Sequence, residues 1–468
     1  MSRTSTATPL ASRREFLWQC GGGLAGLALG DLLVRDGLAA EGAPRPELNG
    51  GLHHPAKVKR VIQLFMNGGA SHMDTFDYRP ELQRRSGEKV GGGTLMKSPF
   101  QFKQHGQCGR WVSSVFPHQA RHVDDLAFLM SMHTDNSVHG LSSYMMNTGF
   151  ALAGYPCMGS WVSFGLGRLS ENLPAFVVLP DKVGMPYNGE GNFSSGFLSA
   201  QHQAAVVRAG DKTPIPDLFA DGRYPFATKE ADRDGLDLLR KFNQTHRDRD
   251  PSDTRLDARI ASYELAARMQ GSAPEAFDLS REPDKLQRAY GIGDRVTDDV
   301  GRRCLLARRL VERGVRFVQV WSGHDGASNN WDNHGSIATG LKAQADKVDQ
   351  PIGALIADLK ARGLFEDTLL MWCTEFGRTA HSQGTGRDHN GNCFTVWLAG
   401  AGVKPGHAHG QSDEFGAKAA EGRTDHHDFH ATVLHLLGID HTKLTFRHNG
   451  IDRRLTDVHG TVIREILS

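Results

Sequence analysis

Apolar residues come in short blocks separated by amphipathic stretches, and this alternation sets the expected fold. Val58 to Met66 is almost continuously apolar and ends at Asn67-Gly68-Gly69, which reads as a buried strand with a sharp turn at its carboxyl end. Leu126 to Met132, Phe176 to Leu179, Val315 to Trp321, Thr368 to Cys373 and Phe394 to Ala399 read the same way. Arg302 to Arg313 has apolar residues at helical spacing and stops at Gly314. Leu341, Ala345, Val348, Ile352, Leu355 and Leu359 share one face of another helix, with a kink expected at Pro351 and a cap at Gly363. Ser142 to Met146 opens a helix ending near Gly149, and Phe429 to Leu437 forms one ended by Gly438. Buried strands joined through helices predict an α/β fold, a mostly parallel sheet with helices on both faces.

Two intervals break this rhythm. The glycine-rich polar stretch from Gly87 to Gly109 reads as surface insertion. Residues 181–291 carry no strong strand signal, while Leu236 to Phe242 and Leu256 to Met269 have helical periodicity and many charges. A mainly helical insertion is expected there, placed to cover the sheet rim.

Composition narrows the function classes. The formal net charge is +1, so no electrostatic case exists for nucleic acid or an anionic membrane surface. Twenty-three histidines favour metal or proton chemistry. Discounting Cys20, which lies in the leader described next, the cysteines are Cys108, Cys157, Cys304, Cys373 and Cys393, with no Cys-x-x-Cys spacing, so a thiolate zinc site is not expected. An oxidising compartment would allow one disulfide, Cys108 to Cys157.

The first forty residues resemble a twin-arginine export signal. Ser12-Arg13-Arg14-Glu15-Phe16-Leu17 precedes a Gly/Ala/Leu stretch from Gly21 to Val34, then Ala39-Ala40 and Glu41. This resemblance implies cleavage near Ala40, passage through the twin-arginine machinery in the folded state, and a periplasmic or secreted mature chain from 41 to 468. No apolar run is long enough for a comfortable membrane span.

The candidate chemistry clusters at strand ends, where an open α/β sheet places its ligands. Asp74 and His72 follow the first strand, Asp332 and His334 follow a middle one, Glu375 ends a third, and Asp388-His389 sit in the loop behind it. Oxygen and nitrogen donors on one rim point to one or two divalent ions (zinc, calcium, magnesium or manganese) and to ester hydrolysis. Asp74, Asp332, His334, Glu375, Asp388 and His389 are the expected metal ligands. His139 can ligate metal, act as acid/base or attack directly; Thr75 and a metal-bound water are the other candidate nucleophiles, and Arg378 is placed to neutralise developing charge. His72, His324 and Trp331 are expected to reach substrate, Trp331 by stacking on a sugar ring. Asp425-His426-His427-Asp428 has the composition of a metal cluster, but an Asp before a helix is expected to cap it.

Several of these stretches are similar to known signatures. Leu355-x-x-x-Leu359-x-x-x-Gly363-Leu364-x-x-Asp367-Thr368-Leu369, Trp397-Leu398-Ala399-Gly400-Ala401-Gly402-Val403 and the helix from Asp428 to Ile439 resemble sulfatases and alkaline-phosphatase-like enzymes. Asn67 to Asp77, Ala307 to Val315, Trp331-Asp332-x-His334 and Glu375-Phe376-Gly377-Arg378-Thr379 resemble the secreted domain-of-unknown-function 1501 family of that superfamily. The resemblance implies an alkaline-phosphatase-like fold and a metal-dependent hydrolase of phosphate or sulfate esters, small or carbohydrate-linked. Departures matter equally. His139 stands where sulfatases carry a modified Cys or Ser, without the accompanying Pro and Arg. Glu375-Phe376 replaces the phosphatase Asp-His pair, and Asn67-Gly68 replaces the first-strand Asp. These departures keep a second reading open, a non-catalytic periplasmic binding or assembly protein on the same scaffold.

Overall fold

The six apolar blocks become six of the eight strands of one sheet. The computed structural model describes Leu48 and residues 51–211, 214–215, 228–249 and 254–468; the expected export signal lies outside these. In chain order the sheet strands are β1 (Arg60–Met66), β2 (Leu126–Met132), β3 (Phe176–Leu179), β4 (Ala205–Val206), β5 (Phe317–Ser322), β6 (Thr368–Cys373), β9 (Phe394–Gly400) and β10 (Ala408–His409). A separate hairpin, β7 (Gly377–Gln383) and β8 (Gly386–Asn390), stands between β6 and β9. The spatial order is β10-β2-β9-β6-β1-β5-β3-β4. β9 runs antiparallel to both its neighbours and every other pairing is parallel. The expected mostly parallel α/β sheet is present.

Besides two short helices, Pro80–Arg84 and Asp284–Ala289, the helices among the described residues are α1 (His139–Thr148), α2 (Met158–Leu166), α3 (Lys229–Arg249), α4 (Thr254–Phe277), α5 (Asp298–Glu312), α6 (Ile337–Ala361) and α7 (His426–Leu436). Successive strand side chains point to opposite faces, so β1 serves two cores. Ile62, Leu64 and Met66 join the cluster containing Leu306 and Leu310 of α5 and Leu355 and Leu359 of α6. Val61 and Phe65 join Trp161 of α2, Met146 of α1 and Val433 of α7. α6 runs through Pro351. The interval 181–291 contains β4, short 3-10 turns, α3 and α4. The 87–109 stretch contributes to two small hairpins, 89–90 with 93–94 and 102–105 with 110–113.

One buried polar contact fixes the sheet to the site. Gln319 of β5 donates to Gln63 of β1 and to Asn147 of α1, both at 2.9 Å. All three amides are buried, so each needs the others. This holds α1, and therefore His139 at its start, against the central strands. The disulfide expected between Cys108 and Cys157 is absent; both thiols are free, Cys108 exposed and Cys157 buried.

His202, in a short 3-10 turn against α2, gives the fold a pH dependence. It is 6% exposed and contacts Ser163 Oγ at 3.0 Å. Burial pushes its pKa down to about 4. The unfolded chain binds this proton near pH 6.5 and the folded chain does not. Its contribution is therefore intact above pH 6.5 and is lost as pH falls toward 4, by about 3 kcal/mol. His202→Gln is expected to flatten the urea midpoint over that window relative to the parent; equal acid sensitivity in both would refute this.

Candidate metal centre

The carboxyl ends of β1, β5 and β6 finish side by side, with Met66 opposite Ser322 and Phe65 opposite Cys373. From this rim the chain departs into the 323–334 loop, into Thr374–Phe376 and the β7–β8 hairpin, and, after β2, into the approach to α1. Gly68 has φ +121°, and a Cβ there would lie 2.6 Å from the Asp332 amide nitrogen. Only glycine lets the end of β1 lie this close to the Asp332 backbone.

Four sequence-predicted residues converge here. Asp332 Oδ1 lies 3.0 Å from His334 Nε2 and 3.2 Å from His389 Nε2, and the two Nε2 atoms are 2.8 Å apart. Asp332 Oδ2 lies 3.3 Å from Nε2 of His139, the first residue of α1, without an aligned hydrogen bond. Asp388 and His389 lie on β8 and not in a loop as expected.

The remaining ring nitrogens determine what these atoms can do. His389 Nδ1 donates to the Ser137 carbonyl at 2.8 Å. His139 Nδ1 donates to Glu375 Oε1 at 2.6 Å. His334 Nδ1 faces Gln383 Oε1, with Asp388 Oδ1 3.7 Å away. In the neutral imidazole one nitrogen donates and the other accepts. Each Nδ1 is thus the donor; the Nε2 lone pairs of His334 and His389 point at each other and at Asp332 Oδ1, and that of His139 lies against Asp332 Oδ2. Acceptors facing acceptors repel unless a cation or a proton lies between them. A metal–nitrogen bond of about 2.1 Å puts neighbouring ligands about 3.0 Å apart in an octahedral site and about 3.4 Å apart in a tetrahedral one. The observed separations of 2.8, 3.0, 3.2 and 3.3 Å fall at or near that range. Outer acceptors fixing each Nδ1–H are the arrangement that metal-ligating histidines use.

Without an ion, a proton on His139 takes the place of the cation. Burial lowers the His139 pKa, but hydrogen bonds and charge from Asp332 and Glu375 outweigh it and raise it to about 9. Burial raises Asp332, yet the bonds from His139 and His389 and the Arg378 charge hold it far below the usual carboxylate range. The pocket is strongly cation-seeking. It is also open: the His334 side chain is 39% exposed and Asp332 and His389 21% each. A closed structural site would leave no such face.

Other predicted residues take different places. Glu375 is fully buried; its Oε1 also accepts the Gly68 amide at 2.8 Å, so it orients His139 from behind. Asp388 is mostly exposed and forms a second candidate group with His334 and His389. Arg378 is buried, holds Asp332 Oδ1 at 2.6 Å and donates to the carbonyls of Gly68 and Gly69, leaving it committed to the framework. Asp74 is buried against Arg387 at 2.7 Å, and Ser71 takes one of its oxygens as well. The Thr75 hydroxyl is buried and donates to the Ser71 carbonyl at 2.8 Å. His72 is 1% exposed and donates to the Gly416 carbonyl at 2.7 Å, which corrects its expected reach to substrate. Trp331 is corrected likewise: its indole is buried, donates to Ser322 Oγ at 3.2 Å and packs edge-on against Trp372, so it has no free face for a sugar. His324 stays half-exposed, its Nδ1 turned to the Asp325 carbonyl at 2.9 Å.

Tyr187 and Asn330 escaped the sequence reading. Tyr187 stacks on His139 with ring centroids 4.3 Å apart and planes 8° from parallel. Its hydroxyl accepts from Asn330 Nδ2 at 3.2 Å. Burial, then the Asp332 and Glu375 carboxylates, raise the phenol pKa well above its usual value, so it stays protonated. No periodicity or motif marks either residue.

Comparison with known proteins agrees on the family. The family described as protein of unknown function (DUF1501) matches residues 58–467. No curated protein matches. Among solved structures, the chain is similar to the PsFucS1 sulfatase from Pseudoalteromonas sp., at 12% identity over 81% of this chain and 68% of that one, with a TM-score of 0.34. The lipoteichoic acid synthase LtaP from Listeria monocytogenes is similar at 9% identity over 89% and 80%, TM-score 0.40. An alkaline phosphatase from the Antarctic bacterium TAB5 is similar at 11% over 75% and 94%, TM-score 0.31.

Proposed function

The chain belongs to the DUF1501 family, and from the rim geometry we propose that it is an exported hydrolase of phosphate or sulfate esters that uses one divalent metal ion. His139, His334, His389 and Asp332 would hold the ion; an imidazole-rich set suits zinc better than calcium or magnesium. The observation carrying this reading is the meeting of three lone-pair nitrogens and a carboxylate on a solvent-open face. One ion suffices, because His334 and His389 present their Nε2 atoms to the same point. When bound, such an ion polarises an ester oxygen and acidifies water. The Arg13-Arg14 leader supports the export part of the proposal.

The chain's own groups supply the rest. Thr75 is buried with its hydroxyl donated, and His139 has Nδ1 bonded to Glu375 while its Nε2 would be a metal ligand, so neither residue is free to attack phosphorus or sulfur. Water is the nucleophile this geometry favours. Arg378 fixes Asp332 and does not contact the transferred group. Tyr187 accepts from Asn330 and keeps its own proton, which it can donate to a substrate oxygen where charge develops. Glu375 keeps the His139 ring in the tautomer that leaves Nε2 free.

Tyr187→Phe tests this assignment. It keeps the ring stacked on His139 and removes the donor, so kcat should fall about 100-fold with metal content unchanged. A kcat within twofold of the parent would remove Tyr187 from the reaction. The wider test is turnover of aryl phosphates and aryl sulfates by metal-loaded protein. A fully loaded protein inert on both series would leave a metal-binding scaffold without hydrolase activity.

A further inference from the structure

We propose a second metal site at the far end of α1, built by Asp425, His426 and His427 where α7 begins. One ligand atom from each lies within 4.8 Å of the other two. The site stands independently of the catalytic reading. His139 opens α1 and Gly149 caps it, so the two clusters lie about 15 Å apart along the helix at 1.5 Å per residue.

Asp425 caps α7 as expected, but capping occupies only part of it. Its Oδ1 accepts the amides of His427 at 2.8 Å and Asp428 at 3.0 Å. Oδ2 is left facing His427 Nδ1 at 3.7 Å. His427 Nε2 donates to the Gly149 carbonyl at 2.9 Å, so in the neutral ring Nδ1 is a lone pair. An acceptor again faces an acceptor.

His426 supplies the independent observation. It is 4% exposed, its ring lies 4.0 Å from that of His427, and neither of its nitrogens makes a well-aligned hydrogen bond among the described residues, the Gly149 carbonyl being near but already bonded to His427. Buried polar groups without partners are rare, and a bound ion is one of the accepted explanations. His430, one turn on, repeats the pattern: Nε2 donates to the Met146 carbonyl at 2.9 Å, and the buried Nδ1 has no partner among the described residues.

A cation is disfavoured at a helix N-terminus, so α7 alone argues against the site. The carbonyls of Met146 and Gly149 belong to the carboxyl end of α1, whose partial charge is negative, and together with the Asp425 carboxylate they reverse the balance. Imidazoles with one carboxylate suit a zinc-class ion. The ion would join α7 to the end of α1 and brace the helix that presents His139.

The experiment counts zinc by mass spectrometry in full-length protein equilibrated with zinc and then dialysed. The parent is expected to hold two equivalents, and Asp425→Ser, which keeps a capping hydroxyl, and His426→Asn are each expected to hold one fewer. Asp332→Asn should independently remove the other equivalent. A parent whose zinc disappears with Asp425→Ser but not with Asp332→Asn supports this site and sinks the first. Zinc counts unchanged in Asp425→Ser and His426→Asn overturn the second site, as does a parent holding no zinc. Circular dichroism of each variant checks folding, and should Asp425→Ser unfold, the His426→Asn count decides.

Discussion

Asp332→Asn is expected to lose the metal ion at the rim and with it all measurable ester hydrolysis. Asp332 is the one side chain that touches every other member of the centre: His334, His389 and Arg378 on Oδ1, His139 on Oδ2. Asparagine has the same size but carries no charge. Three imidazoles would then face a neutral amide, with the buried Arg378 guanidinium alongside deprived of its Asp332 ion pair. Changing an outer group behind a ligand costs about 10–100-fold in metal affinity. Losing the carboxylate that lies against all three Nε2 atoms should cost more than that. Titration calorimetry with zinc and turnover of an aryl phosphate and an aryl sulfate make the comparison. Zinc affinity within tenfold of the parent would show that the Nε2 convergence holds no metal. Glu375→Gln, acting through His139, should fall in the 10–100-fold band and retain some activity.

The ease with which parts of this molecule can be read from sequence follows from local physics. Six strands were visible because each is buried on both faces, and continuous burial leaves an unmistakable apolar block. Strands β7 and β8 were not, because a rim hairpin alternates buried and exposed residues and is rich in polar ones. Asp332 and His334 drew notice because they follow a strand end, where the topology gathers ligands, and the fold brings them to His389, which lies on β8 and not in the loop expected for it. The same rule overreached at Asp74, Thr75, His72 and Trp331. All four follow the right strands, yet their side chains turn into the protein, and proximity in sequence does not report direction. The Asp74 partner, Arg387, lies 313 positions away. Tyr187 was missed for the opposite reason: its segment has no period, and only the fold brings it against His139.

Arg387→Met is expected to destabilise the protein by about 3–5 kcal/mol, because it leaves a buried carboxylate without its counter-charge. Arg387 and Asp74 are both 0% exposed. Arg387 Nε and Nη2 reach the two Asp74 oxygens at 2.7 and 3.2 Å, and Nη1 and Nη2 donate to the carbonyls of Thr379 and Met96. The methionine fills most of the volume and satisfies none of these acceptors. The double variant Arg387→Met, Asp74→Asn removes the stranded charge and should recover much of the loss, since the cost lies in uncompensated burial more than in a missing attraction. Urea unfolding of the four proteins in the cycle measures this coupling. Breaking the exposed Arg84–Glu81 pair is the contrasting control and should leave the midpoint unchanged. The effect should also reach the metal. The Arg387 amide donates to the Asn333 carbonyl at 3.1 Å, and its carbonyl accepts from Arg378 at 3.2 Å, so this residue ties the Asp332 loop to the strand that carries His389. Those are main-chain contacts that methionine keeps, but losing the Asp74 pair frees this backbone to shift, so Arg387→Met that still folds should bind zinc more weakly without having lost a ligand. Unchanged zinc affinity in that variant would show that the hairpin holds His389 in place without the Asp74 pair.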